Sequence, residues 1–206
     1  REAVNLKILP IMCIPNKPLI LASQSPRRVE LLKKIIKNFL VIPSGIDEVC
    51  SSKLSPEENA IILSRKKADW VASRYPHHWV IGADTLVVLE SEIIGKPTNL
   101  DDAHKILKRL SGRKHKVITG ITVVHSETLS TAIVSQVNIK TLNNNEIASY
   151  INSGESMDKA GAYAIQGKGA SLVKNYEGSY SNIVGLPIDA LKDLLQKSGF
   201  PLDSSS

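Results

Sequence analysis

Hydroxyl and guanidinium side chains follow the first short apolar run of the chain. Leu19–Ser23 predicts a strand, and Ser25-Pro26 predicts the start of a helix, because serine suits an N-cap and proline suits the first helical turn. The side chains around the N–H groups of that helix N-terminus would be Ser23, Ser25, Arg27 and Arg28. Cations at this end oppose the helix dipole unless an anion compensates them. Two interpretations stand: a phosphate-binding turn, or an ordinary cap with two solvated arginines.

Asp84 is a carboxylate in an apolar setting. It lies within Ile81–Leu86, next to the hydroxyl of Thr85, and the flanking apolar runs predict a buried strand. A buried carboxylate needs a partner, which a divalent metal, a lysine or a proton-transfer role would supply. The alternative is an aspartate that only satisfies backbone groups of a turn.

Three lysines are candidates to face an anion. Lys67 is the most informative, because it lies four residues from both Leu63 and Val71 and interrupts the apolar stripe of a predicted helix. Lys96 carries less information, because Gly95-Lys96-Pro97 also suits an ordinary turn. Lys159, in a stretch rich in small residues and glycines, is the third candidate.

Oxygen and amide ligands are predicted in two loops. Asp47 and Glu48 follow the second predicted strand, where either suits Mg²⁺, although an acidic pair in a loop is more often solvated. Gln166 stands alone among the small residues of 158–169, which suit close approach to a ligand, and its amide both donates and accepts.

Alternating helices and strands must position these groups. Cap and end signals predict helices over 26–37, 56–74, 99–110, 143–151 and 187–197. Apolar runs predict the intervening strands, including short ones near 170–174 and 182–184. The predicted class is α/β, with a mixed twisted sheet, flanking helices and two lobes around a central cleft. We expect an N-terminal extension over 1–17, one domain over 18–200 and a flexible tail over 201–206.

Composition narrows the function classes. The chain has 206 residues, 42% hydrophobic and 22% charged, with a net charge of +6, which excludes a disordered polymer and favours anionic partners. Cys13 and Cys50 cannot form a disulfide framework or a zinc site, so a reducing cytoplasm is expected. No run is long enough to span a bilayer. The basic run 113–116 is too short and the chain too poor in aromatics to predict a stable nucleic-acid complex.

At these residues the sequence resembles the Maf family of nucleoside triphosphate pyrophosphatases, which is related in fold to the inosine triphosphatase group. The resemblance spans about 19–195. It rests on seven ordered motifs: LASQSPRR from Leu21, GIDE from Gly45, IGADT from Ile81, GKP from Gly95, LSGR from Leu110, DKAGAY from Asp158 and VGLP from Val184.

The resemblance implies a hydrolase that converts a nucleoside triphosphate to the monophosphate and pyrophosphate with a divalent cation, Mg²⁺ or Mn²⁺. It implies that Asp84 accepts the proton of the attacking water and that Glu48, with Asp84, positions the metal. Charge on the triphosphate would be neutralised by Arg28, Lys67, Lys96 and Lys159.

Specificity positions of the family correspond to Arg27, Thr85 and Gln166, and this combination resembles the branch acting on dTTP and UTP. CTP and modified pyrimidine nucleotides are further expected substrates, and a homodimer is compatible with the resemblance. Two alternatives stay open. One is a nucleotide-sensing regulatory protein connected with septum formation, and the other is the same chemistry on a noncanonical or methylated purine triphosphate.

Overall fold

The computed structural model describes residues 19–202. The predicted extension over 1–17, and all but the first two residues of the predicted tail, lie outside the described residues. The strands are β1 (Leu19–Leu21), β2 (Leu40–Val41), β3 (Trp79–Leu89), β4 (Glu92–Ile94), β5 (Lys114–Val124), β6 (Thr128–Ile139) and β7 (Val173–Glu177). The helices are α1 (Pro26–Lys33), α2 (Pro56–Ala72), α3 (Leu100–Leu110), α4 (Asn144–Ile151), α5 (Tyr180–Val184) and α6 (Ile188–Lys197). None of the helices within 19–202 is long and apolar enough to cross a membrane.

The strands form one mixed sheet, which confirms the predicted α/β class. Its order is β2-β1-β3-β5-β6-β7, with β4 attached to β3 beside this path. β1 runs parallel to β2 and β3, whereas the pairs β3–β4, β3–β5, β5–β6 and β6–β7 are antiparallel. β1 and β4 pair with the same edge of β3, β1 up to Ile81 and β4 from Val87 onwards. Between them, that edge of β3 is left open to side chains from elsewhere.

Two local predictions were wrong. The strand predicted near 182–184 is helix α5, which begins after the N-cap Ser179 and ends at Gly185, whose φ of 123° no helix adopts. Three apolar residues carry no periodicity, so the run alone could not distinguish helix from strand. The strand predicted near 170–174 begins only at Val173, because Gly167–Leu172 is a 3-10 helix.

Helix α2 lies directly on the backbone of β3 and β5. A Cβ atom at Gly82 would stand 2.0 Å from the carbonyl oxygen of Ser64, and one at Gly120 would stand 2.2 Å from that of Ala60. Only glycine permits this approach. Side chains alternate along a strand, so even-numbered residues of β3 face α2 and odd-numbered residues such as Ile81 face the opposite side. The main core lies on that opposite side and includes residues of α1, α3, α4 and α6.

Candidate active site

A cleft of about 400 Å³ opens beside the unpaired stretch of β3. All eleven residues predicted as site residues line it. They are Ser23, Ser25, Arg27, Arg28, Glu48, Lys67, Asp84, Thr85, Lys96, Lys159 and Gln166. Asp47, the neighbour considered beside Glu48, is exposed and is not among the lining residues. The sheet and its connections therefore gather side chains that are up to 143 positions apart in sequence, as Ser23 and Gln166 are.

One buried ammonium joins two carboxylates. Lys67 Nζ lies 2.6 Å from Asp84 Oδ1 and 2.7 Å from Glu48 Oε1. The side chains of Lys67 and Asp84 are each only 6% exposed, whereas that of Glu48 is 45% exposed. Asp84 is even-numbered on β3 and faces α2, and the close contact of α2 with Gly82 brings Lys67 within reach. The predicted interruption of the apolar stripe at Lys67 thus corresponds to a buried, ion-paired lysine.

Glu48 is held as a carboxylate by the cations around it. Burial acts to raise its pKa, but the hydrogen bond and charge of Lys67 and the charges of Lys96 and Arg28 outweigh it, so the pKa of Glu48 lies below its ordinary value. Lys96 Nζ stands 3.8 Å from Glu48 Oε2 and is largely exposed, which leaves it free to move towards a ligand.

Arg28 is fixed by three acceptors from different parts of the chain. Its Nε donates to the Gly185 carbonyl at 2.8 Å, and its two terminal nitrogens donate to Ser23 Oγ at 3.3 Å and Thr85 Oγ1 at 3.0 Å. Burial lowers the pKa of Arg28, although the charges of Asp84 and Glu48 favour its charged form. A planar guanidinium held in this way presents a fixed positive charge to the cleft.

The loop after α4 supplies the opposite wall. Asp158 lies 3.6 Å from Arg27 NH1, and Lys159 Nζ donates to the carbonyl of Glu155 at 2.6 Å and to the Asp158 carboxylate. Gln166 is half-buried and lines the cleft further along this loop. Asp158 thus joins α1 to the loop, a contact that the sequence did not predict although Asp158 stands next to Lys159 in the DKAGAY motif.

Apolar residues also line the cleft, among them Val87, Val117, Ile183 and Tyr163. The Tyr163 hydroxyl lies 2.7 Å from His115 Nε2, and both side chains are buried. Burial lowers the pKa of His115 from its ordinary 6.5 to about 4, so this imidazole is neutral at pH 7. The sequence did not predict this pair, because its two residues stand 48 positions apart.

The charges of the site suit a polyanion with an apolar group attached. Five cations line the cleft against the carboxylates of Glu48, Asp84 and Asp158. A buried carboxylate beside a cationic cluster can accept a proton while the cations stabilise negative charge that develops on a nearby phosphate. The fold and this site together define a class of anion-binding, hydrolase-like α/β domains.

Comparison with known proteins places the chain within that class. A model of the Maf-like protein family matches residues 18–198, and the chain belongs to this family. The family predicted from the motifs is thereby confirmed.

Individual relatives match over nearly their whole length. The dTTP/UTP pyrophosphatase of Myxococcus xanthus (strain DK1622) is 47% identical over 186 residues, which are 89% of this chain and 94% of that protein. The dTTP/UTP pyrophosphatase of Dictyoglomus thermophilum (strain ATCC 35947 / DSM 3960 / H-6-12) is 46% identical over 195 residues, which are 91% of this chain and 99% of that protein. Among solved structures, the Staphylococcus aureus Ham1 protein gives a TM-score of 0.48 at 16% identity, over 87% of this chain and 98% of that one.

Proposed function

We propose that this chain hydrolyses dTTP and UTP to the nucleoside monophosphate and pyrophosphate, with CTP and modified pyrimidine nucleotides as further substrates. The observation that carries the proposal is the Asp84–Lys67–Glu48 contact inside a cleft lined by four further cations. Relatives named dTTP/UTP pyrophosphatase, aligned over 94% and 99% of their lengths, support the choice of substrate.

The triphosphate is the part of the substrate that the cations bind. Arg28 is preorganised by its three acceptors, and Ser23 and Ser25 place hydroxyls at the adjacent N-terminus of α1. The hydroxyl of Ser25 makes no side-chain capping bond, which leaves it available to a phosphate oxygen. Lys96 and Lys159 extend the positive charge towards the leaving pyrophosphate.

Asp84 accepts the proton of the attacking water. Lys67 contacts Asp84 Oδ1, so we assign Oδ2 to the water. As the water oxygen bonds to the α-phosphorus, the bond from that phosphorus to the oxygen bridging the α- and β-phosphates breaks. Pyrophosphate departs with the electron pair, and the water proton passes to Asp84. The lysines and Arg28 stabilise the charge that collects on the leaving group.

The donor set fits a hard divalent cation. Asp84 and Glu48 present oxygens to the same ammonium, so their carboxylates converge, and Mg²⁺ is usually held by one or two carboxylates together with substrate phosphates and water. Residues 19–202 include no cluster of three or more His, Cys, Asp or Glu side chains placed to hold a metal. Glu48 and Asp84 would hold Mg²⁺ or Mn²⁺, which when bound would polarise the phosphate oxygens.

The base lies against the apolar part of the cleft and the loop that carries Gln166. Arg27, Thr85 and Gln166 line the same cleft, and the Gln166 amide N–H groups can donate to the carbonyl oxygens of a pyrimidine. We further propose that the protein acts in the cytoplasm, and a homodimer is compatible with this function.

Product analysis tests the proposal. The purified chain is incubated with dTTP, UTP, CTP, 7-methyl-GTP or ITP, in Mg²⁺, in Mn²⁺ or with a chelator, and pyrophosphate is resolved from orthophosphate. We expect the monophosphate and pyrophosphate from dTTP and UTP, with loss of turnover in the chelator and in Asp84→Asn. Asp101→Asn, which removes an exposed carboxylate in the first turn of α3, is the matched control and retains turnover.

Other outcomes separate the alternatives. Retained turnover in Asp84→Asn would disprove its role as the base. Preference for ITP or 7-methyl-GTP would keep the chemistry and overturn the assigned base specificity. Tight binding of dTTP without turnover in either metal would favour a nucleotide-sensing regulatory protein.

A further inference from the structure

A line of hydrogen bonds runs from Arg28 into the buried interior. Arg28 donates to Thr85 Oγ1 at 3.0 Å, and Thr85 Oγ1 lies 3.0 Å from Thr119 Oγ1. Thr119 Oγ1 in turn lies 3.0 Å from the carbonyl oxygen of Asn182. Thr119 and Asn182 are fully buried, whereas Thr85 is half-buried and lines the cleft.

The Arg28 guanidinium and the Asn182 carbonyl, at the two ends of this line, fix the direction in which the Thr85 and Thr119 hydroxyl hydrogens point. A guanidinium only donates and a carbonyl only accepts, whereas a hydroxyl has one hydrogen and two lone pairs. The single hydrogen of Thr119 must point to Asn182, so Thr119 can only accept from Thr85. Thr85 therefore donates inward to Thr119, accepts from Arg28, and keeps one lone pair.

Asn182 cannot easily move to release Thr119. Its side-chain nitrogen donates to the Val117 carbonyl at 3.1 Å and to Ser135 Oγ at 2.8 Å. Ser135 is itself bound to the backbone of Ser179. Asn182 Oδ1 has no hydrogen-bond partner among the described residues, but the Asn182 side-chain nitrogen is bonded to β5 and β6 and its backbone N–H to Ser179 Oγ. These bonds from several directions hold Asn182 in place, so the hydroxyl orientation is built into the fold.

We propose that Thr119 determines base specificity as a positioning residue: by taking the Thr85 hydrogen, it makes Thr85 a pure acceptor towards the cleft. This inference rests on the proposed function. A group that meets Thr85 must then be a hydrogen-bond donor, which excludes phosphate oxygens. Uracil and thymine carry a hydrogen on N3, whereas N3 of cytosine has a lone pair. We therefore place Thr85 at N3 of the base, where it accepts from the imide of uracil or thymine and finds no donor on cytosine.

The test is the ratio of kcat/KM for UTP to that for CTP. Thr119→Val keeps the shape of the side chain but frees the Thr85 hydrogen to point at the cleft, where it can donate to cytosine N3. We expect the ratio to fall about tenfold, the value of one neutral hydrogen bond. Thr119→Ser retains the acceptor and should retain the ratio. A purely structural defect would lower kcat/KM for UTP and for CTP by the same factor and leave their ratio unchanged.

Thr122→Val is the matched control. Thr122 is a fully buried threonine on the same strand, and it bonds the hydroxyls of Ser64 and Ser130 instead of Thr85. Its substitution should leave the ratio unchanged, and an equal fall in this variant would overturn the proposal. Circular dichroism of each variant verifies the fold.

If Thr119→Val does not fold, the wild-type chain is assayed with UTP and with N3-methyl-UTP, which lacks the hydrogen on N3. We expect slower turnover of N3-methyl-UTP, and equal turnover of the two nucleotides would also overturn the proposal.

Ribose hydroxyls and the 4-amino group of cytosine are the other donors that a pyrimidine nucleotide offers. If Thr85 accepts from the 4-amino group, the wild-type chain would prefer CTP to UTP, which would overturn the proposal. If Thr85 accepts from the 3′-hydroxyl, Thr119→Val would change the preference between dTTP and its 3′-deoxy analogue and leave the UTP to CTP ratio intact. That pattern would overturn the assignment to the base. Failure of the proposed function is distinct, since the wild-type chain would then release no pyrophosphate from UTP.

Discussion

Replacing Lys67 with methionine removes the ammonium that joins Asp84 and Glu48. The side chains of Lys67 and Asp84 are both 6% exposed, so their ion pair is buried, and breaking it leaves Asp84 as an uncompensated buried charge. Removal of one partner of a buried pair destabilises a protein by about 3 kcal/mol or more. The contact with half-exposed Glu48 adds little, because solvent screens it.

The expected result for Lys67→Met is a loss of about 3 kcal/mol in the free energy of unfolding. For a chain of this size that corresponds to a fall in Tm of roughly 6 to 12 °C. Denaturation in urea, followed by circular dichroism, measures the free energy. With the cation also lost from the phosphate site, kcat/KM for dTTP should fall roughly 100-fold.

Lys66→Met is the matched control, because Lys66 is the adjacent residue of α2 and is exposed. It should change stability by less than about 0.5 kcal/mol. The double variant Lys67→Met/Asp84→Asn removes the uncompensated charge together with the cation, so it should recover most of the lost stability. A Lys67→Met variant as stable as the wild type, or a double variant no more stable than Lys67→Met, would contradict this prediction.

Three further predictions concern packing, pH and the phosphate site. Gly120→Ala should lower the free energy of unfolding, measured by urea denaturation, by about 3 kcal/mol, because the new Cβ would stand 2.2 Å from the Ala60 carbonyl oxygen. Gly95→Ala is the control and should leave the free energy unchanged, because a Cβ there would have no atom within 4 Å. His115 has a pKa of about 4 when folded against 6.5 ordinarily, so the unfolded chain binds its proton first as the pH falls. The contribution of His115 should therefore lower the free energy of unfolding by about 3 kcal/mol between pH 6.5 and pH 4. Urea denaturation at several pH values measures this decline, and His115→Gln should remove the contribution. Arg28→Lys cannot reproduce contacts with three acceptors, so KM for dTTP should rise about tenfold in steady-state assays, whereas the exposed Arg65→Lys should leave it unchanged.

Local signals in the sequence predicted the long elements well. Ser55 and Glu58, whose spacing is that of a capping box, form one at the start of α2, and Asn99 caps α3 through a bond from the Asp102 N–H. Such signals act within four or five residues, so they can be read along the chain. Short elements were less predictable. β4 was missed and α5 was taken for a strand, because three to five residues carry too little periodicity.

The amino-acid sequence alone shows which side chains could take part in chemistry and which charged side chains interrupt an apolar run. Lys67 and Asp84 were both identified in this way, and the motifs gave the family. Only the tertiary structure decided that Lys67 bonds Asp84, that Asp158 pairs with Arg27, and that Thr119 stands between Thr85 and Asn182. These contacts join residues 17 to 131 positions apart, through strand register and the approach of α2 to Gly82 and Gly120. Hydrogen bonds and ion pairs depend on ångström distances, which the packing of whole elements sets and which no local pattern of residues encodes.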